Sequence, residues 1–488
     1  MRVGAASLLA GLAVAAAGCG GGGGGGNALP AAADVVPASA PALVSLNTDF
    51  ASPQWKNAPE LLGKFPGAAD LLRRARLESG NVDFERDVKP ALGKEVDVVW
   101  LDFANGGNDV VGLTQPKNKA KFSALIAKLN SKDSTVTAEV NGWAVVADSR
   151  AKIDAFRRAS SGDKLAGVGA FKEAMRRLDE RAALRAYVAG RPVQRELDRA
   201  LAQSGAAPNL TRDLARMESI SATGLVEPDG IRAEAALTTD PAPKPKTYTP
   251  TLPKSLPAGA LLYVSTANLA DPTRTILELI ARSKPNFETQ LRQVETVLGL
   301  SLEQDVYPLI SGEQAVAIYA AKPIPKVVFV AKVPDEGKAR ELLAHVLGLV
   351  KISGTLSVTT LDVGGVSVND VTQPGSGVHG YVAVAGGKLI VTTARDLLAT
   401  LVEGKGAKLA DDPLYRRART DAKVPAKVVA MAYGDLTHGL PFAFDLAEAG
   451  GRVVPPSARA NTTALRHSLV YAEQDGNTFQ LFGFVAIQ

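Results

Sequence analysis

Two parts of this chain carry the same sequence pattern, and this duplication strongly constrains its fold. The segment PASAPALVS at residues 37–45 returns as PAGALLYVS at residues 257–265, 220 positions later. Further matches follow in the same order and pair residues 83–90 with 301–308, 142–150 with 387–395, 164–166 with 408–410, and 227–230 with 473–476. A spacing above 200 residues indicates a duplicated domain rather than a solenoid repeat. We therefore expect two similar folded units.

The second copy is longer than the first, because the spacing between matched segments grows along the chain. It rises from 218–220 positions in the early matches to 244–246 in the late ones, which adds about 25 residues at about 350–386. Within this stretch, two runs rich in β-branched residues flank Gly364 and Gly365. Such a pattern is typical of a β-hairpin with a primed turn. The sequence thus predicts an extra hairpin in copy two.

Each copy predicts more strands than helices, with several strands joined by short turns. Asp-Gly at residues 229–230 and again at 475–476 is a strong hairpin signal. Helices are predicted to begin near Asp83 and Ser301, and Ser301 with Gln304 fits a capping box. The pattern favours an α+β fold, in which two tandem homologous units each form a mainly antiparallel sheet with packed helices. A doubly wound parallel sheet is the weaker alternative, because strands and helices do not alternate cleanly.

Composition divides the chain into predicted parts. These are a lipoprotein signal peptide at 1–18, a Gly/Ala-rich tether at 19–33, repeat unit 1 at 34–240, a Pro-rich linker at 241–255, and repeat unit 2 at 256–488 with the hairpin insertion at about 350–386. The linker composition favours extended polyproline II conformation and a semi-rigid spacer.

The N-terminus predicts an export signal that ends at a cysteine. Residues 3–17 are apolar but too short for a membrane span of about 20 residues. They end in Ala16-Ala17-Gly18-Cys19, which resembles a bacterial lipobox although Ala16 stands where leucine is usual. This resemblance implies cleavage before Cys19 and lipidation of its thiol, so we expect an extracytoplasmic protein anchored to the cell membrane. An ordinary cleaved signal with an incidental cysteine is the alternative.

Cys19 is the single cysteine of the chain, so no intramolecular disulfide can form. Seven glycines follow it, at residues 20–26. Glycine-rich chain behaves as flexible coil, and the tract up to residue 33 can reach at most roughly 50 Å. The segment therefore predicts a tether between the membrane and the folded part.

The charge pattern argues against nucleic acid as a partner. The net charge is +5, but Lys and Arg are spread along the chain and aromatic residues make up 5% of it. A nucleic-acid surface would need clustered basic residues, commonly with aromatic stacking platforms.

Catalytic and metal-binding patterns are not apparent in the sequence. The four histidines, His345, His379, His438 and His467, are not spaced as metal ligands. Ser376 near His379 lies in a Gly/Pro-rich stretch that favours a turn over a rigid site. Glu85 with Asp87 recurs as Glu303 with Asp305, and recurrence in both copies favours capping over acid–base chemistry. We expect no metal, no cofactor and no enzymatic activity.

Three segments of copy two resemble a bacterial domain of unknown function, DUF3352. They are LPAGALLYV at 256–264, DVYP at 305–308 before Gly312-Glu313, and KLADDPLY at 408–415. The resemblance covers most of copy two and, more weakly, copy one. It implies an exported or membrane-anchored protein of the kind found in high-GC Gram-positive bacteria. It brings no known activity or catalytic residue.

Three functions are open at this point. The first is a non-catalytic binding or scaffolding module of the cell envelope, with an envelope protein as its partner. The second is a carrier or sensor of an apolar or lipid ligand, which an enclosed apolar cavity of about 300–1,000 Å³ would favour and a solid core would contradict. The third is a hydrolase with an unrecognised site, which requires polar residues converging in a cleft.

Overall fold

The computed structural model describes residues 28–78, 82–104, 106–129, 135–203, 216–241, 245–284, 286–375 and 377–488. Cys19, the signal peptide and the glycine tract lie outside these residues. The chain forms two compact units. Unit 1 comprises the chain up to Pro243 together with residues 456–465 and 475–488, and unit 2 comprises residues 244–455 and 466–474. The end of the second sequence copy therefore contributes to unit 1, and residues 245–255 of the Pro-rich segment belong to unit 2.

Strands are numbered along the chain. They are β1 (Ala42–Asn47), β2 (Glu95–Trp100), β3 (Val110–Thr114), β4 (Val136–Val140), β5 (Trp143–Ala147), β6 (Leu184–Ala189), β7 (Arg216–Glu227), β8 (Gly230–Asp240), β9 (Leu262–Ala267), β10 (Glu313–Tyr319), β11 (Lys326–Lys332), β12 (Ser357–Val363), β13 (Val366–Thr372), β14 (His379–Ala385), β15 (Lys388–Thr392), β16 (Ala430–Asp435), β17 (Leu465–Asp475) and β18 (Thr478–Ile487).

Helices are numbered in the same way. They are α1 (Pro53–Gly63), α2 (Ala68–Glu78), α3 (Lys119–Leu129), α4 (Arg150–Ala159), α5 (Gly169–Arg177), α6 (Gly190–Gln203), α7 (Ala270–Ser283), α8 (Phe287–Leu298), α9 (Tyr307–Leu309), α10 (Glu336–Ser353), α11 (Leu398–Val402), α12 (Pro413–Asp421), α13 (Leu436–Ala449) and α14 (Pro456–Thr462). Short 3-10 turns lie at Ala31–Asp34, Leu165–Gly167, Leu252–Lys254, Arg395–Leu397 and Leu409–Asp411, and π-helical turns at Phe84–Val88 and Leu302–Val306.

Both units are built on antiparallel sheets with the same central order. The sheet of unit 1 runs β4-β5-β3-β2-β1-β6-β7-β8-β18. The sheet of unit 2 runs β12-β13-β14-β15-β11-β10-β9-β16-β17. Strands β4-β5-β3-β2-β1-β6-β7 thus correspond to β14-β15-β11-β10-β9-β16-β17. The predicted α+β fold with mainly antiparallel sheets is confirmed.

The predicted extra hairpin is also confirmed, and its place in the sheet is now defined. Strands β12 and β13 pair with each other around Gly364 and Gly365. Both glycines have positive φ angles, 62° and 82°, as a type I′ turn requires. Strand β13 then pairs with β14. The insertion therefore extends one edge of the unit 2 sheet beyond the strand that corresponds to β4.

Two of the repeated sequence segments contact each other in each unit. Pro37 bridges to Lys164, and Pro257 bridges to Lys408 in the same antiparallel manner. Each lysine ammonium then donates to backbone carbonyl groups of the preceding loop, at 2.8 Å for Lys164 and 3.0 Å for Lys408. The same backbone contact between two matched segments is therefore present in both units.

Two of the four repeated carboxylates, those of Asp87 and Asp305, take part in helix caps, whereas Glu85 and Glu303 form ion pairs with Lys89 and Arg274. Asp83 accepts a hydrogen bond from the amide of Arg86, and Ser301 accepts one from the amide of Gln304. In a capping box, the side chain three residues after the cap accepts a hydrogen bond from the amide of the cap residue. Here the acceptor lies four residues after the cap. Asp87 accepts from the Asp83 amide at 2.8 Å, and Asp305 accepts from the Ser301 amide at 2.7 Å. The π-helical turn explains the shift, because it adds a residue to the first turn.

Aromatic side chains occupy equivalent core positions in the two units. In unit 1, Phe171 of α5 packs edge-to-face on Tyr187 of β6, with ring centroids 5.0 Å apart. In unit 2, Tyr415 of α12 packs edge-to-face on Tyr433 of β16 at 5.2 Å and on Tyr263 of β9 at 5.9 Å. All five side chains are buried. The helix after the Lys-Leu-Ala segment is therefore held on the sheet by the same kind of contact twice.

Candidate functional site

Unit 2 contains an apolar groove between its sheet and helix α13. The groove has a volume of about 390 Å³. Its lining includes four apolar residues of the sheet and four of the helix. They are Leu262, Ile318, Ala432 and Val470 of the sheet, and Leu440, Phe442, Ala443 and Leu446 of the helix. Its volume lies within the range typical of small-ligand pockets.

The floor of the groove is the sheet face opposite to the aromatic core. Along β9, Tyr263 is completely buried, whereas its neighbours Leu262 and Val264 are 38% and 41% exposed. Side chains alternate between the faces of a strand, so Leu262 and Val264 lie on the second face. Leu262 pairs with Ile318 of β10, and Val264 pairs with Ala432 of β16. Strand β9 is therefore apolar on both faces, and one of them is partly open to solvent.

Helix α13 forms the wall of the groove and begins at a well-defined cap. Asp435 accepts a hydrogen bond from the amide of His438 at 3.0 Å with one carboxylate oxygen. Its other oxygen lies 2.7 Å from Nδ1 of the His438 ring. The helix sequence LTHGLPFAFDLAEA is largely apolar, yet no residue in it is fully buried. An apolar helix of this kind would ordinarily be enclosed, so its partial exposure marks the groove as an unfilled apolar surface.

The chemistry that the groove offers is mainly dispersion and hydrophobic contact. Among the residues that line it, Asp435 is the one with a charged side chain, and Ser468 adds a hydroxyl group. The Asp435 carboxylate is already engaged with His438. The arrangement therefore suits an apolar ligand that carries few polar groups.

The histidines singled out in the sequence each have a separate local partner. His379 pairs with Asp370 in the inserted hairpin region, and His438 pairs with its cap Asp435. The ring of His345 contacts the carbonyl oxygen of Leu298, and the buried ring of His467 lies 3.2 Å from Asp421. Ser376 lies outside the described residues. Within the described ranges, no group of three or more His, Cys, Asp or Glu side chains is arranged to hold a metal ion.

Sequence reasoning did not single out the groove, although two signals pointed to it. The run Leu261-Leu262-Tyr263-Val264 lacks the apolar–polar alternation of a half-exposed strand. The segment 436–449 is apolar over more of its circumference than a surface helix needs. Neither pattern predicts which apolar face of the strand or helix stays exposed, because exposure depends on which other elements pack against that face.

None of the described helices is long and apolar enough to cross a membrane.

The chain was compared with known proteins. No curated protein matches it. Solved structures of the protein TP0453 are similar over about half of the chain. Crystal form IV has 13% sequence identity and a TM-score of 0.27, over 49% of this chain and 81% of that one. Crystal form III has 9% identity and a TM-score of 0.24, over 49% and 95% of the two chains. The model of the family described as "Protein of unknown function (DUF3352)" matches residues 2–145 and 124–467, consistent with a domain present twice. The chain belongs to the DUF3352 family.

Proposed function

We propose that this protein is a non-catalytic binding protein of the cell envelope, anchored to the membrane through Cys19, whose unit 2 binds the acyl chain of a lipid. The observation that carries the proposal is the apolar groove between helix α13 and the open face of strand β9. The lipobox-like sequence ending at Cys19 supports a location beside a membrane, where lipids are the abundant apolar ligands.

The groove favours an acyl chain over a polar ligand for an energetic reason. Each methylene group moved from water into an apolar site contributes about 0.8 kcal/mol. Leu262, Ile318 and Phe442 offer such a site, with few polar groups to be desolvated. A ligand rich in hydroxyl or charged groups would lose hydrogen bonds to water there without replacing them.

The charged residue of the groove restricts the head group of the lipid. Asp435 lies at the start of α13, where the helix meets strand β16. An anionic head placed beside this carboxylate would meet like charge. We therefore expect a lipid with a neutral or cationic head.

Filling the groove should weaken ligand binding. Ala443 lines the groove from α13, and its side chain is exposed enough to accept a larger group without disturbing the core. With Ala443→Trp, the indole should occupy the space of the ligand. We expect at least a tenfold weaker affinity for the neutral apolar dye N-phenylnaphthylamine, measured by its fluorescence increase on binding.

Ala449→Trp is the matched control, because Ala449 is an exposed residue of the same helix that does not line the groove. It should leave dye binding unchanged. Lipid extraction and mass spectrometry of the protein purified from its native membrane should then identify an acyl lipid, and Ala443→Trp should remove it. Equal dye binding by both variants, or co-purification of proteins without lipid, would argue for a scaffold instead.

Removal of Cys19 should release the protein from the membrane. With Cys19→Ala the chain has no thiol to acylate, since Cys19 is its single cysteine. We expect nearly all of the protein to move to the soluble fraction after cell lysis, measured by immunoblotting. Ala16→Leu restores the usual lipobox residue and should keep the protein membrane-bound. Retention of Cys19→Ala on membranes would contradict lipid anchoring.

A further inference from the structure

Unit 1 contains a second cavity, and more charged and polar side chains line it than line the groove. It has a volume of about 370 Å³. We call it the polar cavity and define it by Ser52, Gln54, Glu95, Glu180, Arg181 and Arg185. Ser52 and Gln54 come from the start of α1, Glu95 from β2, and Arg185 from β6. The cavity thus has two acidic and two basic side chains on its walls.

Part of this charge holds the first described residues of the chain. The Arg185 guanidinium donates to the carbonyl oxygen of Ala28 at 2.7 Å, and the Ala28 amide donates to Glu180 at 3.0 Å. Glu95 accepts from the amide of Ala32 at 2.9 Å. Arg185, Glu180 and Glu95 thus each have one hydrogen bond to the backbone of residues 28–32.

Other polar atoms of the cavity have no partner among the described residues. Gln54 is only 3% exposed, and its Nε2 donates to the carbonyl oxygen of Arg181, but its Oε1 accepts no hydrogen bond. Arg181 uses Nε and Nη2 on Asp179, whereas its buried Nη1 has no acceptor. The hydroxyl of Ser52 precedes α1 but makes no capping bond. Unsatisfied buried polar atoms cost about 1–3 kcal/mol each, so a ligand that satisfies them would gain affinity.

The duplicated unit shows that the sheet does not require a charge at Arg185, which lines the cavity, or at Asp97, which lies beside Ser45 but does not line it. Ser45 of β1 pairs with Asp97 of β2 and with Arg185 of β6. The corresponding Ser265 of β9 pairs with Ala315 and Met431. The same sheet is therefore built once with a buried acid and a buried base, and once with two uncharged residues.

Burial makes the two charges of unit 1 costly. Burial, and then the nearby charge of Glu95, raises the pKa of the completely buried Asp97. Burial also lowers the pKa of Arg185. The strand pairing does not depend on either charge, since β9 forms the same pairs with Ala315 and Met431. Unit 1 thus keeps a buried acid and a buried base that unit 2 lacks, and of these Arg185 lines the cavity, whereas Glu95 has a structural counterpart in Glu313.

We propose that the polar cavity binds a small zwitterion, namely a free α-amino acid with one ammonium and one carboxylate group. The unpartnered Nη1 of Arg181 would donate to the carboxylate. The unpartnered Oε1 of Gln54 would accept from the ammonium. A ligand of a single charge would meet a repelling side chain, since Glu95 and Glu180 face the same cavity as Arg181 and Arg185.

The test is isothermal titration of the full-length protein with glycine, L-alanine, L-serine and L-glutamate. Glycerol, glucose and inorganic phosphate serve as ligands that are not zwitterions. We expect saturable binding of at least one amino acid and none of the other three compounds. Gln54→Met and Arg181→Met should each weaken it at least tenfold. Lys56→Met, an exposed position of the same helix outside the cavity, should leave it unchanged.

A second variant separates binding from folding. Asp97→Ala combined with Arg185→Met installs the residues of unit 2, so the unfolding transition should be retained while amino-acid binding is weakened, because Arg185 is one of the two basic side chains of the cavity. Circular dichroism checks the fold of every variant. The proposal is overturned if no amino acid binds, if binding survives both Gln54→Met and Arg181→Met, or if glycerol, glucose or phosphate binds equally well.

Discussion

Tyr415→Ala should lower the free energy of unfolding of unit 2 by about 3–5 kcal/mol, the range for removing a large aromatic side chain from a packed core. Tyr415 is 1% exposed and contacts Tyr263 and Tyr433 edge-to-face. Its removal would leave a cavity beneath α12 that the rigid sheet cannot fill. Urea unfolding followed by near-ultraviolet circular dichroism measures the loss, because this signal reports tyrosine packing.

Tyr415→Phe is the matched control and should cost less than about 1.5 kcal/mol. Among the described residues, the Tyr415 hydroxyl contacts the sulfur of Met431 at 4.0 Å, which is a weak interaction. Unit 1 also carries phenylalanine, Phe171, at the corresponding position. If both variants were equally destabilised, the hydroxyl rather than the packing of the ring would hold α12 in place.

Glu313→Ala should destabilise unit 2 by about 3 kcal/mol or more, because hydrogen bonds to a charged group contribute about 1.5–3 kcal/mol each. Glu313 begins strand β10 and is 6% exposed. Its carboxylate accepts from the amides of Thr251 and Leu252 at 2.8 and 2.9 Å and from the Thr251 hydroxyl at 2.6 Å. Alanine would leave these donors buried without an acceptor. Denaturant unfolding measures the change.

Glu313→Gln keeps one carbonyl acceptor and should recover a substantial part of this stability. Glu95 offers a comparison in unit 1, where it makes a single bond of this type, to the Ala32 amide. Glu95→Ala should therefore cost less than Glu313→Ala. A similar loss from all three substitutions would contradict the view that Glu313 joins residues 251–252 to the sheet through several bonds at once.

Much of the fold could be predicted from local sequence patterns. The inserted hairpin follows from β-branched runs around Gly364 and Gly365, since the turn itself demands glycine-like φ angles. The caps at Asp83 and Ser301 follow from side chains that satisfy amides of the next turn. The predicted bond from the Gln304 amide to the Ser301 hydroxyl is confirmed, but the side chain that accepts from the Ser301 amide is that of Asp305 and not that of Gln304. The sequence does not distinguish a π-helical turn from an α-helical turn, which explains the difference.

The two candidate sites could not be predicted in this way. The groove depends on which face of β9 is covered, and β9 is apolar on both. The polar cavity is formed in part by Gln54, Glu95 and Arg181, which are far apart in the sequence. None of the three belongs to a sequence motif that predicts a binding site. Only the comparison of strand partners reveals that Asp97 and Arg185 stand where unit 2 has Ala315 and Met431.

The amino-acid sequence was enough to predict that a domain is present twice, that copy two carries an added hairpin, and that antiparallel strands dominate. These features follow from periodicity, turn residues and caps, which act over a few neighbouring residues. Three features are visible only in the folded chain: β18 joins the sheet of unit 1, one face of β9 stays open, and buried polar atoms surround one cavity. Those outcomes depend on burial and on pairing between distant segments, and no local pattern encodes which distant surface will cover a given side chain.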